Sequence, residues 1–199
     1  MAEISMDLIK KLRAMTGAGV MDCKKALLKA DGDIEKAVDE LRKIGAAKVE
    51  KRLSREAKEG RIEAYVHPGS RLGVLVEINC ESDFVASTEE FKTLAHEVAL
   101  QIAAAAPIAV RREDIPEEII EREKAIYRGQ LEGSNKPPHI IEKIIEGKLE
   151  KFFQEKVLME QPYIRDPEKT INDLVRDAVL KLGENIIIRR FVRYRVGEE

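Results

Sequence analysis

The sequence of 199 residues predicts an α+β fold, in which a small helical domain precedes a larger domain with a three-stranded antiparallel sheet. Three observations lead to this prediction. Apolar residues recur with a helical period through residues 5–50, the period changes to two between residues 62 and 80, and a β-branched run lies at residues 186–196. The final strand is therefore expected to return to the earlier hairpin and complete the sheet.

The first domain, residues 1–50, is predicted to hold three short amphipathic helices. Ser5 is placed to cap the first helix, a Thr-Gly-Ala-Gly break at residues 16–19 ends it, and Asp33 is placed to cap the third helix. About 45 residues bury only a small core. Such a domain is expected to take part of its stability from a partner or a neighbour.

The apolar period disappears in residues 46–60, where Lys, Arg and Glu dominate. A stretch of this kind is either a solvated extension of the third helix or a flexible linker. We interpret residues 51–60 as a charged linker, which leaves residues 61–199 as the second domain.

The second domain begins with a predicted hairpin. Apolar and polar residues alternate in residues 62–67, a Pro-Gly-Ser-Arg turn follows, and the next strand occupies residues 72–80. The side chains expected on one face of that strand are Val74, Val76, Ile78 and Cys80.

Helices are predicted to connect the hairpin to the last strand. Ser87 and Glu90 match a capping box at the start of the first of them. The other three helices are expected near residues 116–131, 138–153 and 170–182.

Composition and motifs speak against an enzyme. Gly17-Ala18-Gly19 is not followed by the Lys-Ser or Lys-Thr pair of a phosphate-binding loop, and no nucleophile or metal-binding motif is visible. The two cysteines are far apart and the three histidines are scattered. We therefore expect no catalytic residue, no metal site and no cofactor.

Charge and hydropathy predict a cytoplasmic protein that binds neither membranes nor nucleic acid. The formal net charge is −2, although 36% of the residues are charged, whereas nucleic-acid-binding proteins usually carry a basic excess. No apolar run approaches the roughly 20 residues of a membrane span. The first residues show no basic region followed by an apolar one, so no signal peptide is expected.

Four arginines lie in the last predicted strand. In a regular strand Arg189, Arg193 and Arg195 would share one face, and Arg190 would share the other with Ile188, Val192 and Tyr194. Such a group either binds phosphate or pairs with acidic residues on a neighbouring strand. We favour pairing.

The segment 79–87 is the most unusual part of the sequence, because a buried strand ends there and a capped helix begins within a few residues. Phe84 and Val85 lie in this connection. Either Phe84 folds back on the helix as a hydrophobic staple, or it projects as an apolar wedge for a pocket in another protein. The pattern by itself favours the staple.

Three stretches carry a resemblance to a known family. Residues 16–27 (TGAGVMDCKKAL), 79–86 (NCESDFVA) and the closing run that begins with Gly-Glu-Asn-Ile at 183–186 resemble signatures of translation elongation factor Ts, and they occur in the same order. Together they span most of the chain, so the sequence is identified as a member of that family.

The resemblance implies a role for each domain. Residues 1–50 would be a three-helix, ubiquitin-associated-like module that docks on the GTPase domain of elongation factor Tu, with Val20, Met21 and Lys24 at contact positions. Ser82, Asp83, Phe84 and Val85 match the family's Mg²⁺-displacing stretch, with Ser82 where Thr is usual. By the family mechanism Asp83 and Phe84 enter a pocket beside the nucleotide, Mg²⁺ and the phosphate site are disturbed, and GDP leaves.

The chain differs from longer family members, which carry two copies of the core half, an inserted helical hairpin and a C-terminal helical module. We expect two copies of this chain to form a homodimer by packing sheet on sheet. His67, in the predicted turn region, would then be a possible second contact with elongation factor Tu from the opposite subunit. The partner would be bound in its GDP-bound and nucleotide-free states.

Other function classes stay open from the residues alone. The helical domain would suit a module that binds ubiquitin-like or nascent chains, but residues 82–85 would then have no role. The arginine-rich strand would suit an RNA-binding protein, for which strong salt-sensitive binding would be the sign. An unrecognised enzyme is the third alternative.

Overall fold

A computed structural model describes residues 4–134 and 136–198. The ends of the predicted segments 1–50 and 61–199, and one position of the loop before residue 138, lie outside the described residues. The chain divides into two compact units, Met1–Arg55 and Glu56–Glu199.

The first unit contains three helices, α1 (Met6–Thr16), α2 (Val20–Lys29) and α3 (Ile34–Leu53). The predicted caps are present, since the Ser5 hydroxyl accepts a hydrogen bond from Leu8 N and the Asp33 carboxylate accepts one from Lys36 N. Gly17 ends α1 with φ of 68°, a left-handed conformation that glycine adopts without strain. The buried core residues are Ile9, Leu12, Cys23, Ala26, Leu27, Ala30, Ala37 and Leu41.

The connection between the units is shorter than the predicted linker at residues 51–60. Helix α3 continues to Leu53, because its Lys, Glu and Arg residues are good helix formers and its buried stripe continues through Gly45 to Val49. The first strand of the second unit, β1 (Glu59–Val66), already begins at Glu59. Much of the charged stretch is therefore an exposed extension of the helix, the other alternative that the composition allows.

The second unit has the predicted three-stranded antiparallel sheet. Strand β1 pairs with β2 (Leu72–Cys80), and β2 pairs on its other edge with the last strand, β5 (Ile187–Arg195). The helices between β2 and β5 are α4 (Asp83–Ala86), α5 (Glu89–Ala105), α6 (Glu117–Leu131), α7 (Pro138–Lys156) and α8 (Ile171–Leu182). Helix α5 covers one face of the sheet by packing on β1 and β2, and α8 packs on α5.

Some short elements were not predicted. They are the single-turn helix α4, the two-stranded hairpin of β3 (Pro162–Tyr163) and β4 (Asp166–Thr170), and 3₁₀ turns at Arg112–Asp114 and Leu158–Glu160. The residues of β4, Asp-Pro-Glu-Lys-Thr, are mostly poor strand formers, so propensity indicates a loop there. The pairing with β3 overrides that preference.

The register of the sheet decides which side chains meet α5. Val74 and Val76 are buried on the helix side, and they pair with Tyr65 and Glu63 respectively. Ile62, Ala64 and Val66 therefore point to the opposite side, which no helix among residues 4–134 and 136–198 covers. The alternation in residues 62–67 predicts the strand correctly, but its apolar side is the exposed one.

The last strand contains a β-bulge, so its two faces differ from those predicted. Ile188 pairs with Ile78 and Arg190 pairs with Glu77, so Arg189 is an extra residue between two consecutive pairs. Ile188 is consequently buried on the helix side, whereas Arg190, Val192 and Tyr194 lie on the uncovered side. The assignment of Ile188 to the face of Arg190 was wrong because it assumed an unbroken period of two.

The uncovered side of the sheet is called the open face below. It displays large apolar side chains that are between 44% and 75% exposed. Its members are Ile62, Ala64, Val66, Leu75, Glu77, Arg190, Val192 and Tyr194. In its row nearest the end of β2, Arg190 Nε donates to Glu77 Oε2 at 2.7 Å, and this bond lowers the pKa of Glu77.

Helix α8 begins with a capping box. Thr170 N donates to Asp173 Oδ2 at 2.9 Å, the Thr170 hydroxyl donates to the same oxygen at 2.7 Å, and Asp173 N donates to the hydroxyl at 3.1 Å. The backbone hydrogen bond, followed by that of the hydroxyl, lowers the pKa of Asp173 below its ordinary value of 3.8.

We predict that Asp173→Asn lowers the free energy of unfolding at neutral pH by about 0.3–1 kcal/mol, because the carboxylate charge at the first turn of α8 is lost. A lowered pKa in the folded state means that this contribution is present above the ordinary value of 3.8 and disappears as the pH falls through the folded value. Thermal unfolding of both proteins at pH 7 and in strong acid measures it. An equal difference in Tm at the two pH values would contradict the assignment.

Candidate functional site

The corner between β2 and α5, residues 81–87, is built by consecutive caps. The Ser82 hydroxyl accepts a hydrogen bond from Val85 N at 3.3 Å and so caps α4, while the Ser87 hydroxyl donates to Asp83 O at 2.9 Å. Thr88 caps α5 by accepting from Phe91 N, and its hydroxyl donates to Val85 O at 2.7 Å. The cap of α5 is thus Thr88, one residue after the predicted Ser87.

The corner presents two of its residues to solvent and buries the next two. The side chain of Phe84 is 77% exposed, and Asp83 beside it is also exposed. Val85 is only 6% exposed and Ala86 is buried with it. The hydrophobic-staple interpretation of Phe84 is therefore wrong, and the projecting arrangement is the one that the structure has.

Val85 differs from the other three residues of the predicted Mg²⁺-displacing stretch, residues 82–85, because its side chain is buried. Its side chain anchors the single turn of α4 in the domain interior, because α4 packs on β1 and β2. Ser82 is half-buried at the base of the corner. The side chains available to a partner are consequently Asp83 and Phe84, and we call these two residues the wedge.

Glu184, in the loop between α8 and β5, contacts the base of the corner from more than 100 positions away in the sequence. Its Oε2 accepts hydrogen bonds from Glu81 N and Ser82 N, both at 3.0 Å, and its Oε1 accepts from the Ser82 hydroxyl at 2.6 Å. In return Glu81 Oε1 accepts from Asn185 N at 2.6 Å. Sequence reasoning assigned no role to Glu184, and its position within the closing Gly-Glu-Asn-Ile motif was the only signal.

The last residue of β2 provides no nucleophile beside the wedge. Burial raises the pKa of the Cys80 thiol to about 11, and the nearby Glu184 carboxylate acts in the same direction. The thiol therefore stays protonated at neutral pH, and it lies 3.1 Å from Ser82 O.

Close backbone packing supports the corner from β1. Gly60 pairs with Asn79 and has φ of 145°. A Cβ atom at Gly60 would lie 2.2 Å from Ile78 O, so only glycine fits this position.

The predicted docking residues of the first unit are all exposed. Val20, Met21 and Lys24 occupy the first turns of α2 directly after the Gly19 cap, and Met21 is 64% exposed. On the opposite side of the same helix Cys23 and Leu27 are buried in the unit's core. The helix thus holds the three side chains together on its outer surface.

His67 lies at the other end of the sheet from the wedge. It follows β1 at the hairpin turn, where its N–H donates to Leu72 O at 2.9 Å and its Nδ1 is 2.8 Å from the Tyr65 hydroxyl. In the β1–β2 ladder the turn end pairs Val66 with Gly73, whereas the corner end pairs Glu59 with Cys80. At about 3.3 Å per residue these ends are some 20–25 Å apart, so one chain does not bring His67 and Phe84 together.

Arginines of the last strand form ion pairs. Arg190 pairs with Glu77 on the neighbouring strand, and Arg193 Nη1 pairs with Glu198 at 2.7 Å. Arg195 also contacts Glu198, at 3.4 Å. Only the Arg190–Glu77 pair is of the expected kind, between neighbouring strands, because Glu198 follows β5 in the same segment of the chain.

Two kinds of feature are absent from residues 4–134 and 136–198. No group of three or more His, Cys, Asp or Glu side chains is arranged there to hold a metal ion. In the same part of the chain no helix combines the length and the apolar character that crossing a membrane requires.

Comparisons with known proteins agree along nearly the whole chain. A family model described as "Elongation factor TS" matches residues 3–198. The elongation factor Ts of Thermotoga neapolitana is 62% identical over 197 residues, which are 99% of this chain and 99% of the relative. Those of Thermotoga maritima and Coprothermobacter proteolyticus are 60% and 57% identical over 196 residues, with 98% of this chain and 98% and 100% of the relatives covered.

Proposed function

Because this chain belongs to the elongation factor Ts family and is thus a guanine-nucleotide exchange factor for elongation factor Tu in translation, we propose that its wedge, Asp83 and Phe84, disturbs the nucleotide site of the GTPase. An exchange factor accelerates the release of bound GDP and makes or breaks no covalent bond, so it is not an enzyme. It acts in the cytoplasm, together with the rest of the translation machinery.

The exposed ring of Phe84 is the observation that carries this proposal. A large apolar side chain on a rigid mount suits a pocket in a partner protein, and Phe84 is 77% exposed beside the buried Val85. In the complex the ring fills a pocket between helices beside the nucleotide. The Asp83 carboxylate enters with it and adds negative charge near the phosphates, and this like-charge repulsion disfavours bound GDP.

The energy for this distortion comes from more than one contact. A thousandfold acceleration of GDP release requires about 4 kcal/mol of preferential binding to the altered state. Burial of one Phe side chain contributes about 2–3 kcal/mol before entropic costs. Phe84 therefore acts together with docking contacts elsewhere on the chain.

We assign the docking contacts to the first unit, as a ubiquitin-associated-like module that binds the GTPase domain. Val20 and Met21 offer exposed apolar surface at the start of α2, and Lys24 offers a positive charge one turn later. Docking holds the factor on both the GDP-bound and the nucleotide-free partner, whereas the wedge favours the second. By thermodynamic reciprocity GDP with Mg²⁺ weakens factor binding by the same ratio.

The open face supports the proposal of a homodimer. A three-stranded sheet with exposed Ile62, Leu75 and Val192 on one side resembles half of a β-sandwich, and a second copy would supply the other half. The Glu77–Arg190 pair on this face carries both signs of charge, so a twofold-related copy can meet each charge with the opposite one. His67 would then act as a second contact with the GTPase from the opposite subunit.

We predict that Phe84→Ala lowers factor-stimulated GDP release by about one to two orders of magnitude, because the burial of its ring in the partner is lost. The exposed side chain supports little of the domain's own core, so Tm should hardly change. Release of fluorescent GDP from purified elongation factor Tu and thermal unfolding of the free factor are the two measurements.

Phe91 provides the matched control for Phe84, since it is the third residue of α5 after the corner and is completely buried. Phe91→Ala is expected to cost about 3–5 kcal/mol of stability. A Phe84→Ala protein that unfolds like this control would show that Phe84 is structural. Unchanged exchange by a folded Phe84→Ala protein would contradict the wedge.

We predict that Met21→Ala weakens the affinity of the factor for elongation factor Tu by about tenfold, because an exposed apolar contact of roughly 1–2 kcal/mol is removed. Met6→Ala is the control, as Met6 is similarly exposed at the far end of α1. Isothermal titration of both variants against nucleotide-free GTPase measures the difference. If the two variants bind the GTPase with equal affinity, the docking role of Met21 is contradicted.

We predict that Leu75→Glu converts the factor from a dimer to a monomer at micromolar concentration, because Leu75 lies on the central strand between Ala64 and Val192. A buried carboxylate without a partner there would oppose packing of two open faces. Leu180→Glu, on the exposed side of α8, is the control. Sedimentation analysis gives the masses, and a wild-type monomer with full exchange activity would exclude both the dimer and the role of His67 from the opposite subunit.

A further inference from the structure

The corner that carries the wedge is held by two kinds of contact on its two sides. On the interior side, Val85 and Ala86 are buried. On the other side, the Glu184 carboxylate receives three hydrogen bonds from Glu81 and Ser82, the two residues directly before the wedge. Asp83 and Phe84 lie between these anchors, and the exposed ring of Phe84 contributes little to fixing its own position.

The contacts of Glu184 are of the strong kind. Hydrogen bonds to a carboxylate are shorter and stronger than those between neutral groups. Here two backbone N–H groups and one hydroxyl converge on the two oxygens of a half-buried carboxylate. These donors fix the direction in which the chain leaves β2, and the turn of α4 then determines where residue 84 points.

The bonding is reciprocal, which distinguishes it from a single surface contact. Glu81 Oε1 accepts from Asn185 N at 2.6 Å, so each of the two segments supplies a carboxylate and a backbone donor to the other. The segment with Glu184 connects α8 to β5, and β5 pairs with β2 immediately before the corner. The wedge is thereby tied to a second strand of the same sheet.

We propose that Glu184 is a positioning residue for nucleotide exchange, which holds the corner in the conformation that presents Phe84 to the GTPase. This inference rests on the proposed role of the wedge. A segment that is already ordered loses less conformational entropy on binding, so its burial in the partner drives the distortion more effectively. Without Glu184 the residues before the wedge gain freedom that must be removed again when the partner binds.

The test is a double-mutant cycle on GDP release from elongation factor Tu with Phe84→Ala, Glu184→Ala and the double variant. Glu184→Ala alone is expected to lower the maximal rate of stimulated release about tenfold, with a change of less than about twofold in the factor concentration for half-maximal rate, because the docking residues are untouched. In the Phe84→Ala background the same substitution should add less than about twofold, since it acts through the ring.

A conservative variant and a matched control separate positioning from general stability. Glu184→Gln should recover most of the rate, because the amide oxygen still accepts from the backbone donors. Glu97→Gln is the control, as Glu97 is a half-buried acid of the same domain that accepts from the Tyr163 hydroxyl at 2.7 Å and pairs with Arg165. It should lower Tm and leave exchange within about twofold of the wild type.

The possible outcomes are distinct. Full activity of Glu184→Ala overturns the positioning role and leaves the wedge intact. The same holds if Glu184→Ala lowers the exchange rate by an equal factor in the wild-type and Phe84→Ala backgrounds. Full activity of Phe84→Ala overturns the wedge itself. Should Glu184→Ala not fold, Glu184→Asp takes its place in the cycle, because its shorter side chain draws the carboxylate back from the donors of Glu81 and Ser82 and leaves the Ser82 cap of α4 intact. The same non-additivity is expected, and additivity again overturns the proposal.

Discussion

Burial of one row of side chains on β2 is the constraint from which the rest of the second unit follows. Val74, Val76, Ile78 and Cys80 lie against the helix side, and a shift of one residue would turn all four toward solvent. This row sets the register of both neighbouring strands, and the end of the row at Cys80 determines where the chain turns into the corner. The position of Phe84 and the apolar character of the open face are thus two consequences of the same packing.

Periodicity in the sequence was sufficient to predict the long helices and strands. It failed where contacts between distant segments determine the local structure. The three helices of the first unit and the three strands of the sheet follow from local patterns and caps such as Ser5 and Asp33. The bulge at Arg189 could not be predicted, because it appears only when β5 pairs with β2. The contact of Glu184 with Ser82 joins residues 102 positions apart, and nothing local to either residue indicates it.

Local sequence patterns are limited in the same way at the candidate site. Its residues are marked in the sequence by the family signatures, but their division into exposed and buried members is not. Phe84 and Val85 are adjacent and similarly apolar, and only the direction of the α4 turn makes one project and the other anchor. A sequence pattern does not distinguish one apolar residue from the next, so it favours a staple for Phe84. In the structure, the capping by Ser82 and the burial of Val85 make Phe84 project outward instead.

An exchange factor has to distort its partner more than it is distorted itself. This requirement explains why so many contacts hold the corner in one conformation. Binding energy divides between two deformable bodies according to their stiffness, so a loosely held Phe84 would yield before the pocket of the GTPase did. Caps at Ser82 and Thr88, the close approach at Gly60 and the bonds of Glu184 each remove a way in which the corner could yield. In the proposed function, stiffness at the wedge and affinity at helix α2 are complementary, since docking would bring the two proteins together and stiffness would direct the available energy into the nucleotide site.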